Sequence, residues 1–90
     1  MWEVEYKKRF LKELSTVPED IQAQVEKIVF EELTSGNPFK LGYIERMRGY
    51  PGKYKIRIGQ FRIGITIDQQ AQKIICDRIA HRKDIYRLFP

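Results

Sequence analysis

The sequence holds one cysteine, Cys76, one histidine, His81, and one tryptophan, Trp2. A lone cysteine excludes a disulfide within the chain, and a lone histidine beside it leaves no Cys/His set with zinc spacing. The expectation is a protein of a reducing cytosol that needs no metal and no other cofactor. Apolar runs are only a few residues long, far short of the roughly 20 needed to span a bilayer. Met1-Trp2-Glu3 opens into an alternating segment rather than a signal peptide, so no membrane association is expected.

What is present suits one small domain. A chain of 90 residues buries roughly 60–65% of its unfolded surface, enough for a single modest core. The apolar fraction of 42%, with five Phe and five Tyr, can supply that core. Charge is unevenly spread. Residues 1–39 carry five Lys/Arg against eight Asp/Glu, a net −3, and residues 40–90 carry twelve against four, a net +8. A basic half of this kind suits nucleic acid or an acidic protein surface, and it also fits ordinary solvated basic loops.

Trp2, Val4 and Tyr6 alternate with Glu3 and Glu5, the period of a half-buried strand. From Lys7 the spacing turns helical: Tyr6, Phe10, Leu11 and Leu14 share one face of a first helix ending near Ser15. Thr16-Val17-Pro18-Glu19 has the capping-box pattern, predicting that the Thr16 hydroxyl accepts from the Glu19 N–H at the start of a second helix. That helix continues through Ile21, Val25, Ile28, Val29 and Leu33, with Gly36 and Asn37-Pro38 as its stop. Trp2, Phe10 and Phe30 are expected in the core. After a loop through Leu41 and Gly42, Tyr54, Ile56 and Ile58 alternate with Lys55 and Arg57. Gly59-Gln60 makes a two-residue turn into Phe61–Asp68, and a polar turn leads to the β-branched run Lys73–Ile79, a final, more central strand whose two registers both contain apolar residues. The tail, His81 to Arg87, is a turn or short helix. The order β-α-α-β-β-β predicts an α+β fold in which a helical hairpin covers one face of an antiparallel sheet.

The other face then displays Lys55, Arg57 and Arg62, and the tail adds Arg82 and Tyr86. A solvated sheet face explains the strand cations equally well. Guanidinium groups match phosphate oxygens in bidentate fashion, which suits a scissile phosphate whose charge grows in the transition state. Without paired carboxylates on this face, a two-metal mechanism lacks ligands, so cleavage here would be metal-independent. RNA allows that, because its 2′-OH is an internal nucleophile. Clustered cations lower the pKa of a lysine and of a tyrosine, which makes Lys55 and Tyr86 both candidates for the base. His81 sits beside Arg82 and points the opposite way in an extended segment, which favours a structural hydrogen bond. Cys76, inside an apolar run, reads as a small buried hydrophobe.

Three features taken together, the strand-helix-helix start, Met47-Arg48-Gly49-Tyr50 leading into Tyr54 to Ile63, and the ending Ala80 to Arg87, resemble the RelE toxins of the RelE/ParE superfamily over almost the whole chain. The resemblance implies an endoribonuclease toxin that cuts mRNA in the ribosomal A site and is restrained by a cognate antitoxin. It implies a catalytic set of Lys55, Arg57, Arg62, Arg82 and Tyr86, with Arg48, Lys53, His81 and Lys83 as flanking RNA-binding residues. Arg57 stands where some relatives have Lys, which favours charge stabilisation over proton transfer, and Ala80 stands where relatives often have Gly. Two other readings keep the same fold: a ParE-like toxin that poisons DNA gyrase, whose relatives generally lack the complete Lys, Arg and Tyr set, and a non-catalytic RNA-binding relative.

Overall fold

The computed structural model describes residues 2–90. Its elements run β1 (Glu3–Tyr6), α1 (Lys8–Leu14), α2 (Glu19–Lys27), β2 (Ile44–Arg46), β3 (Lys53–Ile58), β4 (Phe61–Asp68), β5 (Lys73–His81) and α3 (Ile85–Leu88). The sheet order is β1-β5-β4-β3-β2. Strands β2 to β5 form an antiparallel meander, and β1 lies parallel beside β5 with Val4 opposite Ile74. The α+β architecture follows the sequence pattern, with two additions: the short strand β2 and the parallel edge, which makes the sheet mixed.

The main core lies between the helices and one sheet face. Phe10 and Leu14 from α1, and Val25, Val29 and Leu33 from α2 and its extension, pack on Ile56, Ile58, Ile63, Ile65, Ile67, Ile74, Cys76 and Ile79. Each such aliphatic side chain contributes about 1.5–3 kcal/mol when taken fully out of water. The two registers of the last strand are reconciled by a bulge. Gly64 pairs with Arg78 and Ile65 with Cys76, so Asp77 is the extra residue. It shifts the alternation by one and lets even-numbered Ile74 and Cys76 share the helix-covered face with odd-numbered Ile79.

Two local expectations are corrected. The Thr16 hydroxyl donates to the Glu13 carbonyl at 2.7 Å, and Ser15 Oγ donates to the Lys12 carbonyl at 2.6 Å. Both close the end of α1, while α2 begins at Glu19, two residues later than a Thr16 cap would start it, behind the extended Pro18, which has no side-chain cap. Phe30 is 44% exposed, its ring edge resting on Tyr6 with centroids 5.1 Å apart. The chain turns there in a π-helical stretch, Ile28–Glu32, in which Leu33 N–H bonds the Ile28 carbonyl five residues back. The Tyr6 hydroxyl donates to the Val29 carbonyl at 2.6 Å, and burial raises its pKa.

Helix α1 also guards a sheet edge. Beyond Cys76, β1 no longer pairs with β5, and Glu13 takes over: Oε1 accepts from Ile79 N–H at 3.0 Å and Oε2 pairs with Arg78 at 2.7 Å. Among the described residues no helix is long and apolar enough to cross a membrane.

Candidate functional site

Strand alternation sends Tyr54, Ile56 and Ile58 under the helices and Lys53, Lys55 and Arg57 to the opposite face. Register then places Arg62 directly across from Arg57. Like charges in opposed cross-strand positions destabilise a sheet, so the pair costs stability that the turn carbonyls around Arg62 offset in part. Arg62 is steadied by its own turn, its guanidinium donating to the carbonyls of Gly59 at 2.9 Å and Phe61 at 2.8 Å. The turn is tight because Gly59 takes a φ of +56° at the first central position. Arg82 N–H donates to the Gln60 carbonyl at 2.8 Å, so a third arginine starts from the same turn.

The face is not left open, as the sequence suggested. A second, small core forms on it from Met47, Ile85 and Phe89, all buried, with Ala80 packed alongside. Gly64 makes this possible: a Cβ there would lie 2.5 Å from the Phe89 ring, so only a glycine lets the ring lie on β4. Docking Ile85 and Phe89 turns the residue after Ile85 outward over β3. Tyr86 is 63% exposed, and the Lys55 ammonium donates to its phenolic oxygen. The structure thus joins Lys55 and Tyr86, 31 residues apart in sequence, and places Arg57, Arg62 and Arg82 at the neighbouring hairpin end.

The flanking residues separate. Lys53 lies two residues from Lys55 on the same strand face, its ammonium 3.0 Å from Thr66 Oγ1. Arg48 lies in the turn between β2 and β3, lining a hollow with Arg46 and Tyr50. Lys83 is in the exposed turn before α3, where its backbone N–H donates to His81 Nδ1 at 3.2 Å. His81 pairs with Phe61, ring centroids 5.8 Å apart, on the helix-covered side of the sheet. It therefore faces away from Lys55 and Tyr86, in a structural hydrogen bond. Cys76 is fully buried, and burial pushes its thiol up to about 12, far from a reactive thiolate.

One residue of this face escaped the sequence reading. Register puts Glu45 directly opposite Lys55, because β2 pairs with β3. Its only sequence signal is a three-residue Ile-Glu-Arg stretch, too short to show a period. Asp77, the bulge residue, is a second carboxylate here, bound to Lys7 Nζ at 2.9 Å and to the Thr66 hydroxyl at 2.7 Å. Among the described residues no group of three or more His, Cys, Asp or Glu could hold a metal ion.

A helix-backed meander with a lysine–tyrosine contact near sheet arginines, completed by a docked C-terminal turn, defines a small basic α+β domain with its cations gathered on one sheet face. No family model matches the chain. It is 39% identical over 88 residues to Toxin RelE3 of Methanocaldococcus jannaschii, covering 94% of this chain and 96% of the relative. Putative toxin RelE1 of the same organism is 29% identical over 84 residues, with 93% of each chain covered. Among solved structures, the RelB–RelE antitoxin–toxin complex from Methanococcus jannaschii contains a chain 37% identical, with a TM-score of 0.78 and coverage of 96% and 99%. The isolated E. coli RelE toxin shares the fold at a TM-score of 0.69 and 17% identity, with 99% and 100% covered. The chain belongs to the RelE toxin family.

Proposed function

We propose that this toxin is an endoribonuclease that cuts mRNA on the ribosome without a metal ion, and that a cognate antitoxin held on its surface restrains it. The observation that carries the reading is the contact between the Lys55 ammonium and the Tyr86 phenol beside three arginines. In the proposed step the substrate 2′-oxygen bonds to the adjacent phosphorus and the P–O5′ bond breaks. A 2′,3′-cyclic phosphate and a 5′-hydroxyl result. The proton leaving the 2′-OH and the proton reaching the 5′-oxygen pass through the Lys55 and Tyr86 pair, and such general acid–base help is worth about 10² to 10⁴ in rate. Arg57, Arg62 and Arg82 meet the charge that grows on the phosphate. Arg48, Lys53 and Lys83 extend the basic surface for RNA, and His81 contributes through the turn it stabilises. Solved RelE proteins captured with RelB support the antitoxin, whose acidic groups would meet the basic half of this chain.

The test is brief induction in cells with mapping of mRNA 5′ ends. Codon-phased cuts are expected for the wild type, and their loss in Lys55→Ala, Arg82→Ala and Tyr86→Phe proteins that remain folded. Gyrase-dependent DNA breaks in place of RNA cuts would assign the chain to the ParE-like alternative. RNA binding with no cleavage products would make it a non-catalytic relative.

A further inference from the structure

A second basic hollow lies beside the proposed cleavage site, where the start of α1 meets the C-terminal segment. It encloses about 160 Å³ and is lined by Lys7, Arg9, Lys53, Asp77, Arg78 and Phe89, among others. That is several times the roughly 30 Å³ share of one water in the liquid, so the hollow admits an anionic group with its hydration. Among its lining side chains four cations face one carboxylate, and Pro90, the last residue, also lines it. Arg78 is committed to Glu13, and Lys7 to Asp77. Among the described residues Lys53 and Arg9 make no ion pair.

Lys53 is nevertheless held in place. Its ammonium donates to Thr66 Oγ1 at 3.0 Å, and the Thr66 hydroxyl spends its single proton on Asp77 Oδ2 at 2.7 Å. Asp77 is only 5% exposed, fixed by the bulge, with Lys7 on its other oxygen. The Phe89 ring, whose centroid is 5.8 Å from the Lys53 ammonium, walls one side. A solvated surface lysine needs none of this. The buried carboxylate orients the hydroxyl, the hydroxyl orients the ammonium, and the ammonium keeps its remaining protons for a ligand.

We propose that this hollow is a second RNA phosphate site, in which Lys53 and Arg9 bind a backbone phosphodiester and Thr66 and Asp77 position Lys53. Because Lys53 and Lys55 are alternate residues of one strand, their Cα atoms lie about 7 Å apart. The second phosphate therefore neighbours the scissile one. The proposal rests on the reading of this protein as an RNA-cutting toxin. The phosphodiester can belong to the message or to ribosomal RNA, which share the chemistry and differ in the assay.

The experiment uses full-length Tyr86→Phe protein as a binding-competent background and measures its affinity, across a salt series, for a single-stranded RNA oligonucleotide and for empty ribosomes. Adding Lys53→Gln or Arg9→Gln is expected to weaken binding severalfold at low salt and to flatten the slope of log K against log salt by about one unit. Loss in the oligonucleotide arm assigns the site to the message, and loss in the ribosome arm alone assigns it to ribosomal RNA. Unchanged affinity and slope in both arms overturn the proposal. Thr66→Val should reproduce much of the Lys53→Gln effect and Thr66→Ser should restore it. If Val has no effect, Thr66 and Asp77 do not position Lys53. In the otherwise wild-type chain these changes should raise KM and leave kcat nearly unchanged. Absence of any cleavage by wild-type protein would count against the cleavage reading, while the binding arms would still judge the second site.

Discussion

Gly64 sits under an aromatic ring in the middle of a strand, where a methyl group has nowhere to go. With its Cβ 2.5 Å from Phe89, alanine must displace the ring, and the ring is one of three buried anchors of the C-terminal segment. Gly64→Ala is expected to cost about 1–3 kcal/mol, the range for overpacking, and to abolish cleavage by moving Tyr86 off Lys55. Far-UV circular dichroism should stay near wild type, and retention of full activity would show that Tyr86 placement does not depend on this contact. Cys76 gives a pH prediction. Burial holds its thiol protonated up to about 12 in the folded protein, against about 8.5 in an unfolded chain. Below that unfolded value both states carry the thiol and the stabilisation is complete. Above it the unfolded chain ionises first, so stability falls as pH rises toward the folded value. Urea midpoints measured from pH 8 to 10.5 should fall more steeply for wild type than for Cys76→Ala; parallel curves would contradict the argument. Tyr6 and Tyr43, also raised by burial, add slope of the same sign to both proteins.

Elements explain which parts of this molecule could be seen in its sequence. β3 and β4 were legible because strict alternation over six and eight residues fixes both the strand and its faces, and with them Lys55, Arg57 and Arg62. β2 was not, since three residues carry no period, and Glu45 was lost with it. Alternation in β1 reveals a strand but not its partner or direction, so the parallel pairing with β5 had no signal. The bulge left a trace, the apolar residues in both registers of β5, but its position depends on the register with β4. The capping-box reading failed because Pro18, extended, delays α2 and leaves the Thr16 hydroxyl nearer the last turn of α1. Helix α1 has only two fully or nearly buried residues, Phe10 and Leu14, so its attachment leans on Glu13. Glu13→Ala removes the Arg78 pair and uncaps the Ile79 N–H together, and should cost about 2–4 kcal/mol. Glu13→Gln should cost about half as much, because the amide oxygen still accepts from Ile79. Equal unfolding free energies for the two variants would mean that the backbone contact contributes nothing.

At the scale of the whole molecule, two cores of very unequal size share one sheet. The larger contains the sheet interior and both long helices; the smaller is Met47, Ile85 and Phe89. The cleavage site as proposed straddles them, with its lysine and two arginines on strands of the large core and Tyr86 on the C-terminal segment, which is held by the small core and by a few polar contacts such as Arg78 on the Leu88 carbonyl. Three buried side chains give that segment far less stabilisation than the body enjoys, so it should open on its own, well below the global unfolding free energy. Native-state hydrogen exchange should find the amides of Arg87, Leu88 and Phe89, bonded only to Asp84 and Ile85 carbonyls, exchanging through a sub-global opening whose free energy is lower, and falls less steeply with denaturant, than that of global unfolding. Amides of β4 and β5 should exchange only with global unfolding. Because Tyr86 departs with the segment, cleavage should fall at urea concentrations where circular dichroism is still native. Coincident loss of activity and secondary structure would mean that the small core unfolds with the large one and that the molecule is a single cooperative unit after all.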